Sequence, residues 1–551
     1  MPRNDNWNQR QLHFQILFVF DYINLSIDMM KRTMSYWHNP LNFQSAAIPE
    51  DPSSWPEGAT VRSLFGQDVL WHSVVTTDNN ADNKNDDNRN DNVNNDDDEE
   101  EEKGDKAKNK GRHIPAEQLE AYRQIGDPVV DRIFELRRAE GRPIQAGEDL
   151  LERDNDKASG TNTSNHNNRH GDEHSTSERA IEDWIQTHSQ IPSWVDLDLL
   201  RKGQEVYLAY LPAIGMSLYY RSLVPGFSIP RIAAVLEATG YLAPPSTRQQ
   251  VWNRLLDTGL MLMTCFASND VNDILPGGDG WKACLRVRVL HAKVRHGLLR
   301  RQGTRAWDTS TLGIPINEED MCATLLAFAV NPLLGAEMLM GFPVPEDDRN
   351  AYLAIWRYLG WLLGVPVNED YCRSNTPNRP RPLDPCGPGW IAENPDPLQH
   401  SYSVFMSIIF HLMEPDDSSI RIAHHLLRQG RTRDPTAKQK ANEESWFYYR
   451  ALQCRRFVGD PLANALALPL RPTWWRRWCT NFASRLSMLI LTVYSWAGLP
   501  WSPVRGLVVR WHRHHLVKMS QLCQNEHAKR MQESLSSPRA CPFAMVSPPI
   551  H

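Results

Sequence analysis

From Ile181 to about Leu470 the chain repeats apolar residues at i, i+3 and i+4. The repeat runs over 200–222, 229–240, 246–268, 280–300, 317–330, 333–340, 346–363 and 402–412. Proline and glycine separate these runs, at Pro225-Gly226, Pro244-Pro245, Pro276-Gly277-Gly278, Gly313 with Pro315, and Gly341 with Pro343. No series of strand-like alternations appears. The pattern predicts an all-α fold with one core domain over 181–470.

Two polar tracts interrupt the chain before that core. Residues 79–113 are rich in Asn, Asp, Glu and Lys, and 151–180 in Ser, Thr, Asn and His. Neither can bury enough apolar area to offset its ordering entropy, so both are expected to be disordered. His166, His170 and His174 lie in the second tract and read as linker rather than metal ligands. The island between them, 114–150, is assigned to the core domain. Its Gly126-Asp127-Pro128 is a helix start, with Asp as N-cap and Pro as first helical residue. Gly459-Asp460-Pro461 repeats that punctuation and predicts similar capping. Residues 1–78 are expected to be partly helical.

Composition narrows the partners. The net charge is -6, with the acid excess in one run, and a basic aromatic stretch occurs only near the C-terminus, so nucleic acid is not expected. The nine cysteines contain no CxxC pair and suit reduced thiols of an intracellular protein. Leu12 to Phe20 is too short an apolar run for a signal peptide, and Asp21 ends it. The region 471–551 is basic and aromatic. Within it, Phe482 to Trp501 is flanked by tryptophans and arginines, and Ser484, Ser487, Thr492, Gly498 and Pro500 weaken it as a full span. A buried amphipathic helix, an interfacial helix on a membrane through 474–511, and a true span all remain open.

The helix expected over 280–300 carries the candidate chemistry. Cys284, Arg288, His291 and Arg295 fall within about 60° of one another on it, among apolar residues on its other sides. Burying two unpaired guanidiniums is unfavourable, so something anionic should meet them. A haem satisfies this, with His291 on the iron and Arg288 and Arg295 on the propionates. An internal salt-bridge network to Asp or Glu, with His291 a core histidine, satisfies it equally. On 246–268, Arg254 and Thr258 share a face with Met261 and Cys265 and could line a pocket; Arg254 could instead pair with Asp257 at a surface. Asn317 to Asp320 opens a helix with acids that complement its dipole. Glu237 reads as a solvated glutamate or as an acid at a pocket mouth.

Four segments together resemble the family of the latex clearing protein, a rubber oxygenase, and the fungal endoplasmic-reticulum-bound oxygenase. They are Arg254-x-x-x-Thr258; Arg288-Val289-Leu290-His291-Ala292-x-Val294-Arg295; Gly313-Ile314-Pro315-Ile316-Asn317-x-Glu319-Asp320-Met321-x-Ala323-Thr324-Leu325-Leu326; and Trp356-Arg357-Tyr358-Leu359-Gly360-x-Leu362-Leu363-Gly364-Val365. The resemblance implies a globin-like helical core with additional helices around a haem pocket, holding one haem b and using O2 as co-substrate. By motif position His291 becomes the proximal iron ligand and Arg288 its basic neighbour, while Arg254 and Thr258 fall on the distal side. The rubber oxygenase has a lysine where this chain has Asp257, which points to the fungal branch and a prenyl or terpenoid alkene rather than polyisoprene. The expected function is oxidative C=C cleavage of an apolar small molecule in secondary metabolism. Two rivals are a non-catalytic haem or apolar-ligand carrier or sensor, and a cofactor-free helical scaffold.

Overall fold

The computed structural model describes residues 59–64, 67–72, 114, 116–145, 148–151, 175–240, 242, 244, 246–267, 271–341, 343–367, 382–387, 397–429 and 436–536. The tract 79–113, residues 12–20 and most of 151–180 lie outside them. Strands β1 (Ala59–Leu64) and β2 (Gln67–His72) form an antiparallel hairpin, in register from Ala59 opposite His72 to Leu64 opposite Gln67. The helix expected within 1–78 falls outside the described residues. Everything else described is helical or loop, and the fold is all-α, as the periodicity predicts.

Three helices come from the flanks of the polar insertion: α1 (Ala116–Tyr122), α2 (Pro128–Ala139) and α3 (Thr176–His188). Helix α3 begins inside the tract read as insertion, because the Ser175 side chain accepts from Glu178 N and caps it. The core then runs through α4 (Leu197–Ala209), α5 (Leu211–Ser217), α6 (Pro230–Thr239), α7 (Arg248–Phe266), α8 (Asp279–Leu299), α9 (Glu318–Met340) and α10 (Glu346–Leu362). It closes with α11 (Pro397–Leu412), α12 (Asp417–Arg428) and α13 (Ala437–Val458). The runs 317–330 and 333–340 are one helix, α9, with Pro332 inside it. Phe328 O, left without a donor by the missing Pro332 N–H, accepts from Tyr352 OH at 3.0 Å. Helix α9 is also long and apolar enough to cross a membrane, but it is mostly buried at the centre of the core.

Asp127 does cap α2: its carboxylate accepts from Val129 N and Val130 N at 3.2 Å. Asp460 does not repeat the arrangement. It lies inside the short helix Asp460–Ala465, whose cap is Gly459, and it pairs with Arg455 at 2.6 Å.

The chain ends, as far as it is described, in α14 (Trp474–Trp496) and α15 (Arg505–Ser536). Helix α14 packs with its polar side inward. Ser484, Thr492 and Ser495 are buried; Thr492 Oγ1 donates to Leu339 O at 2.8 Å, and Ser484 Oγ to Gln453 Oε1 at 3.0 Å. Its apolar side faces outward: Trp474, Trp478, Phe482, Leu486 and Ile490 follow at i+4 intervals and are 45–74% exposed. On and before α15, Trp501, Val504, Leu507 and Trp511 are exposed as well. A soluble surface helix has the opposite polarity. The buried amphipathic helix is thereby corrected: Ser484, Ser487 and Thr492, three of the residues that argued against a span, dock α14 onto the core.

Candidate active site

Helix α8 is the site's foundation. Arg288 is buried and makes a two-pronged ion pair with Asp127, Nε to Oδ2 at 2.5 Å and Nη2 to Oδ1 at 3.0 Å. Burial opposes ionisation of Asp127, but the Arg288 guanidinium holds its carboxyl below the usual range. The third prong, Arg288 Nη1, lies 2.9 Å from His188 Nε2. His188 Nδ1 is 2.8 Å from Trp184 O, so Nδ1 carries the proton and Nε2 accepts from Arg288. Burial, reinforced by the Arg288 charge, lowers His188 to about 3 and keeps it neutral. Gly364 sits over this pair with φ +91°; a Cβ there would stand 2.7 Å from Arg288 Nε and 2.8 Å from Asp127 Oδ2. That close approach explains the glycine in the fourth motif.

Arg295, two turns further and also buried, is satisfied in the same way. It pairs with Asp131 at 2.6 Å and donates to Pro315 O at 3.1 Å and Ile316 O at 2.7 Å. The third motif is thus partly the receptor of Arg295. In the fourth, Arg357 pairs with Asp384. The anion that the sequence required for Arg288 and Arg295 is therefore the protein's own carboxylates. The propionate argument for these two residues falls away, and the salt-bridge alternative describes them.

His291 is different. It is half-buried, and its Nδ1 is shut off from solvent with no hydrogen-bond partner. Burial, then the Arg295 charge, lowers its pKa to about 4, so the imidazole is neutral at physiological pH. The ring borders a small void with Gly126, Asp127, Asn317, Met321 and Leu363. Among the described residues no group of three or more His, Cys, Asp or Glu is placed to hold a metal ion.

Arg254 and Thr258 lie elsewhere, on the lining of a cavity of about 880 Å³. Its walls include Leu255, Leu262, Phe328, Phe405 and Ile409 from α7, α9 and α11, and the volume is that of a small-molecule site. Met321 borders the void beside His291, and Thr324 borders the cavity, so the two spaces flank the same turn of α9. Sulfur atoms of Cys265 and Cys284 approach to 3.8 Å where α7 and α8 cross.

The sequence reading passed over a buried ionic cluster. Glu319 and Asp320, taken there as dipole-complementing acids, are buried beside Arg123, whose Nη1 is 3.8 Å from Glu319 Oε2 and 3.6 Å from Asp320 Oδ1. Glu319 Oε1 meets His411 Nδ1 at 2.8 Å. The N-cap itself is as expected: Asn317 accepts from Asp320 N at 2.9 Å. Glu237 is a surface partner of Arg421 at 2.8 Å.

Burial pushes Asp320 up to about 7, against the pull of Arg123. An unfolded Asp titrates near 4 (about 3.9), so between about pH 4 and 7 the folded state keeps a proton that the unfolded state has lost. Asp320 therefore lowers stability as pH rises through that window, and the effect levels off above it. Asp320→Asn should flatten the fall in urea midpoint between pH 5 and 8. Parallel profiles for variant and wild type would contradict this.

No curated protein matches the chain in sequence. In structure the chain is similar to the latex clearing protein in its closed state, with a TM-score of 0.42 and 16% identity, over 74% of this chain and 92% of that one. Residues 213–385, which supply His291, the arginines and most of the cavity wall, match the family described as "ER-bound oxygenase mpaB/B'/Rubber oxygenase, catalytic domain", and over that stretch the resemblance carried by the motifs is borne out.

Proposed function

We propose that this protein is a haem b-dependent oxygenase that splits the C=C bond of an apolar, prenyl- or terpenoid-type alkene with O2 as co-substrate. The observation that carries the reading is the His291 imidazole: neutral, with a buried Nδ1 that no protein group satisfies, on a helix of the matched stretch. A neutral imidazole is what a haem iron takes as its axial ligand. A neutral imidazole suits the group as a donor, but the void beside the ring measures only about 10 Å³, so a haem enters only where α8 and α9 part beside it; Arg288 and Arg295 do not contact it in this reading, but fix the helix that presents the ligand. Bound there, haem supplies the activation of O2, which no side chain performs.

The chain's own residues do the rest. The cavity walls bury the alkene and keep water from it. Arg254 and Thr258 present a guanidinium and a hydroxyl on that lining, where they stabilise negative charge that develops during reaction. Asp257 follows Arg254 by three residues and offers neither a cation nor an amine, which favours a compact prenylated molecule over a polymer. The outward apolar side of α14 and α15, with Arg476, Arg477 and Arg510 among the tryptophans, suits a helix pair lying in a lipid interface. We place it on the cytoplasmic face of a membrane such as the endoplasmic reticulum.

The test is the visible spectrum of the purified full chain with added haem, followed by oxygen uptake with a prenylated alkene and detection of carbonyl products. Absence of a Soret band would remove the cofactor. A Soret band without substrate-dependent oxygen uptake would leave a carrier or sensor.

A further inference from the structure

The large cavity holds an acid whose place breaks a local rule. Among the described lining residues Glu337 is the one carboxyl. It stands in the last turn of α9, where the helix dipole disfavours negative charge. Departures of this kind are expected at functional sites. Gly341, with φ +80°, ends the helix, and its N–H donates to Glu337 O at 2.8 Å. The chain then turns back, and Val344 N donates to Glu337 Oε1 at 3.0 Å. One carboxyl oxygen is thereby fixed by the backbone. Among the described residues no group donates to the other, Oε2.

Two cations act on this carboxyl without forming an ion pair with it. Arg349 comes from α10. Arg221 comes from a π-helix, Leu218–Leu223, between α5 and the short helix Val224–Gly226. The protein holds its guanidinium: Nε donates to Asn331 Oδ1 at 3.3 Å and Nη1 to Phe457 O at 3.1 Å. Tyr219, Arg254 and Tyr402 complete the titratable groups of the described lining. Burial pushes Glu337 up to about 7, against the Val344 hydrogen bond and the two cations. Arg221, lowered by burial to about 10, stays charged at neutral pH, and burial keeps Tyr219 and Tyr402 neutral. A carboxylate only accepts hydrogen bonds, whereas a carboxylic acid also donates one. A ligand hydroxyl does both, so it satisfies Oε2 in either state. An amine cation suits the carboxylate alone, and Arg221 would repel it.

We propose that Glu337 is a specificity-determining residue that takes the hydroxyl group of a long-chain or isoprenoid alcohol, whose carbon chain lies along Leu255, Leu262, Phe328 and Phe405. This rests on the cavity being the substrate site proposed above, and specifies what enters it and which way round.

Binding of farnesol and of its methyl ether to the full-length protein, with and without added haem, is measured by equilibrium dialysis at about pH 5 and about pH 9. At the lower pH Oε2 carries a proton and donates to either probe, so the two should bind within about threefold of each other. At the higher pH it only accepts, and the alcohol should bind about tenfold tighter. The change in that ratio is the readout, because the added methyl group is present at both pH values. Glu337→Gln keeps an oxygen for Val344 N and presents N–H groups to the cavity, so its ratio should stay at the low-pH value throughout. A wild-type ratio that does not move with pH overturns the proposal, and so does a wild-type pH response in Glu337→Gln. Should the variant fail to fold, the wild-type response alone decides. Failure of both probes to bind removes the cavity as a substrate site and with it the proposed function, a result distinct from a missing pH response.

Discussion

Replacing His291 with alanine should abolish haem retention and leave the fold intact, whereas replacing Arg288 with methionine should destabilise the fold itself. The contrast follows from what each side chain touches. The Nδ1 of His291 has no partner in the protein, so truncating the ring strands nothing. Arg288 holds Asp127 with two ion-pair contacts and His188 with a third. Removing it leaves a buried carboxylate without its counter-charge, a defect of about 3–5 kcal/mol. Soret absorbance per chain should therefore fall to background in His291→Ala, with a urea midpoint near that of wild type. The Arg288→Met apoprotein should unfold at clearly lower urea. Full haem content in His291→Ala would move the ligand elsewhere. A wild-type midpoint in Arg288→Met would mean that the pair contributes little to stability.

The second large effect is expected at the C-terminal helices. Trp474, Trp475, Trp478 and Phe482 are each more than half exposed; Trp474 meets Trp475 edge to face, and Trp475, Trp478 and Phe482 stack in succession. Burying an aromatic side chain in an apolar phase contributes about 1.5–3 kcal/mol. Replacing all four with serine should weaken partitioning onto anionic phospholipid vesicles by at least about a hundredfold. Their side chains face away from the core, so the circular dichroism spectrum should be unchanged. Co-sedimentation with vesicles measures it. A wild-type protein that stays in the supernatant at low salt would refute the interfacial placement, and another protein would then be the partner for this face.

The helices were legible because their signal is local. The runs at i, i+3 and i+4 are helical, although 317–330 and 333–340 are one helix, 200–222 is divided among α4, α5 and the π-helix, and Pro225-Gly226 lies within the short helix Val224–Gly226 instead of separating two. The partners of the arginines were not legible. Asp127 and Asp131 lie 161 and 164 residues from Arg288 and Arg295, across the polar insertion. Nothing in the spacing of α8 distinguishes a carboxylate brought from that distance from the carboxylate of a cofactor. The acids at Glu319 and Asp320 carried a sufficient local explanation at the start of a helix, which hid their burial against Arg123. The π-helix was hidden because the helical spacing of apolar residues carries on through 200–222. The hairpin had only a weak signal: Phe65-Gly66 separates two six-residue segments that carry Thr60, Val61, Val69 and Trp71. His188 had none, being one histidine at the end of an ordinary amphipathic helix.

Helix α14 is tied to the C-terminal end of α9, through Thr492 to Leu339 and Trp496 to Met340. The preceding residues of α9, Leu334, Glu337 and Met338, form part of the cavity wall. Adsorption through the outer side of α14 thus brings that wall close to the hydrocarbon layer. Supply of a greasy reactant then becomes a two-dimensional problem, governed by its mole fraction among the lipids rather than by its molarity in water.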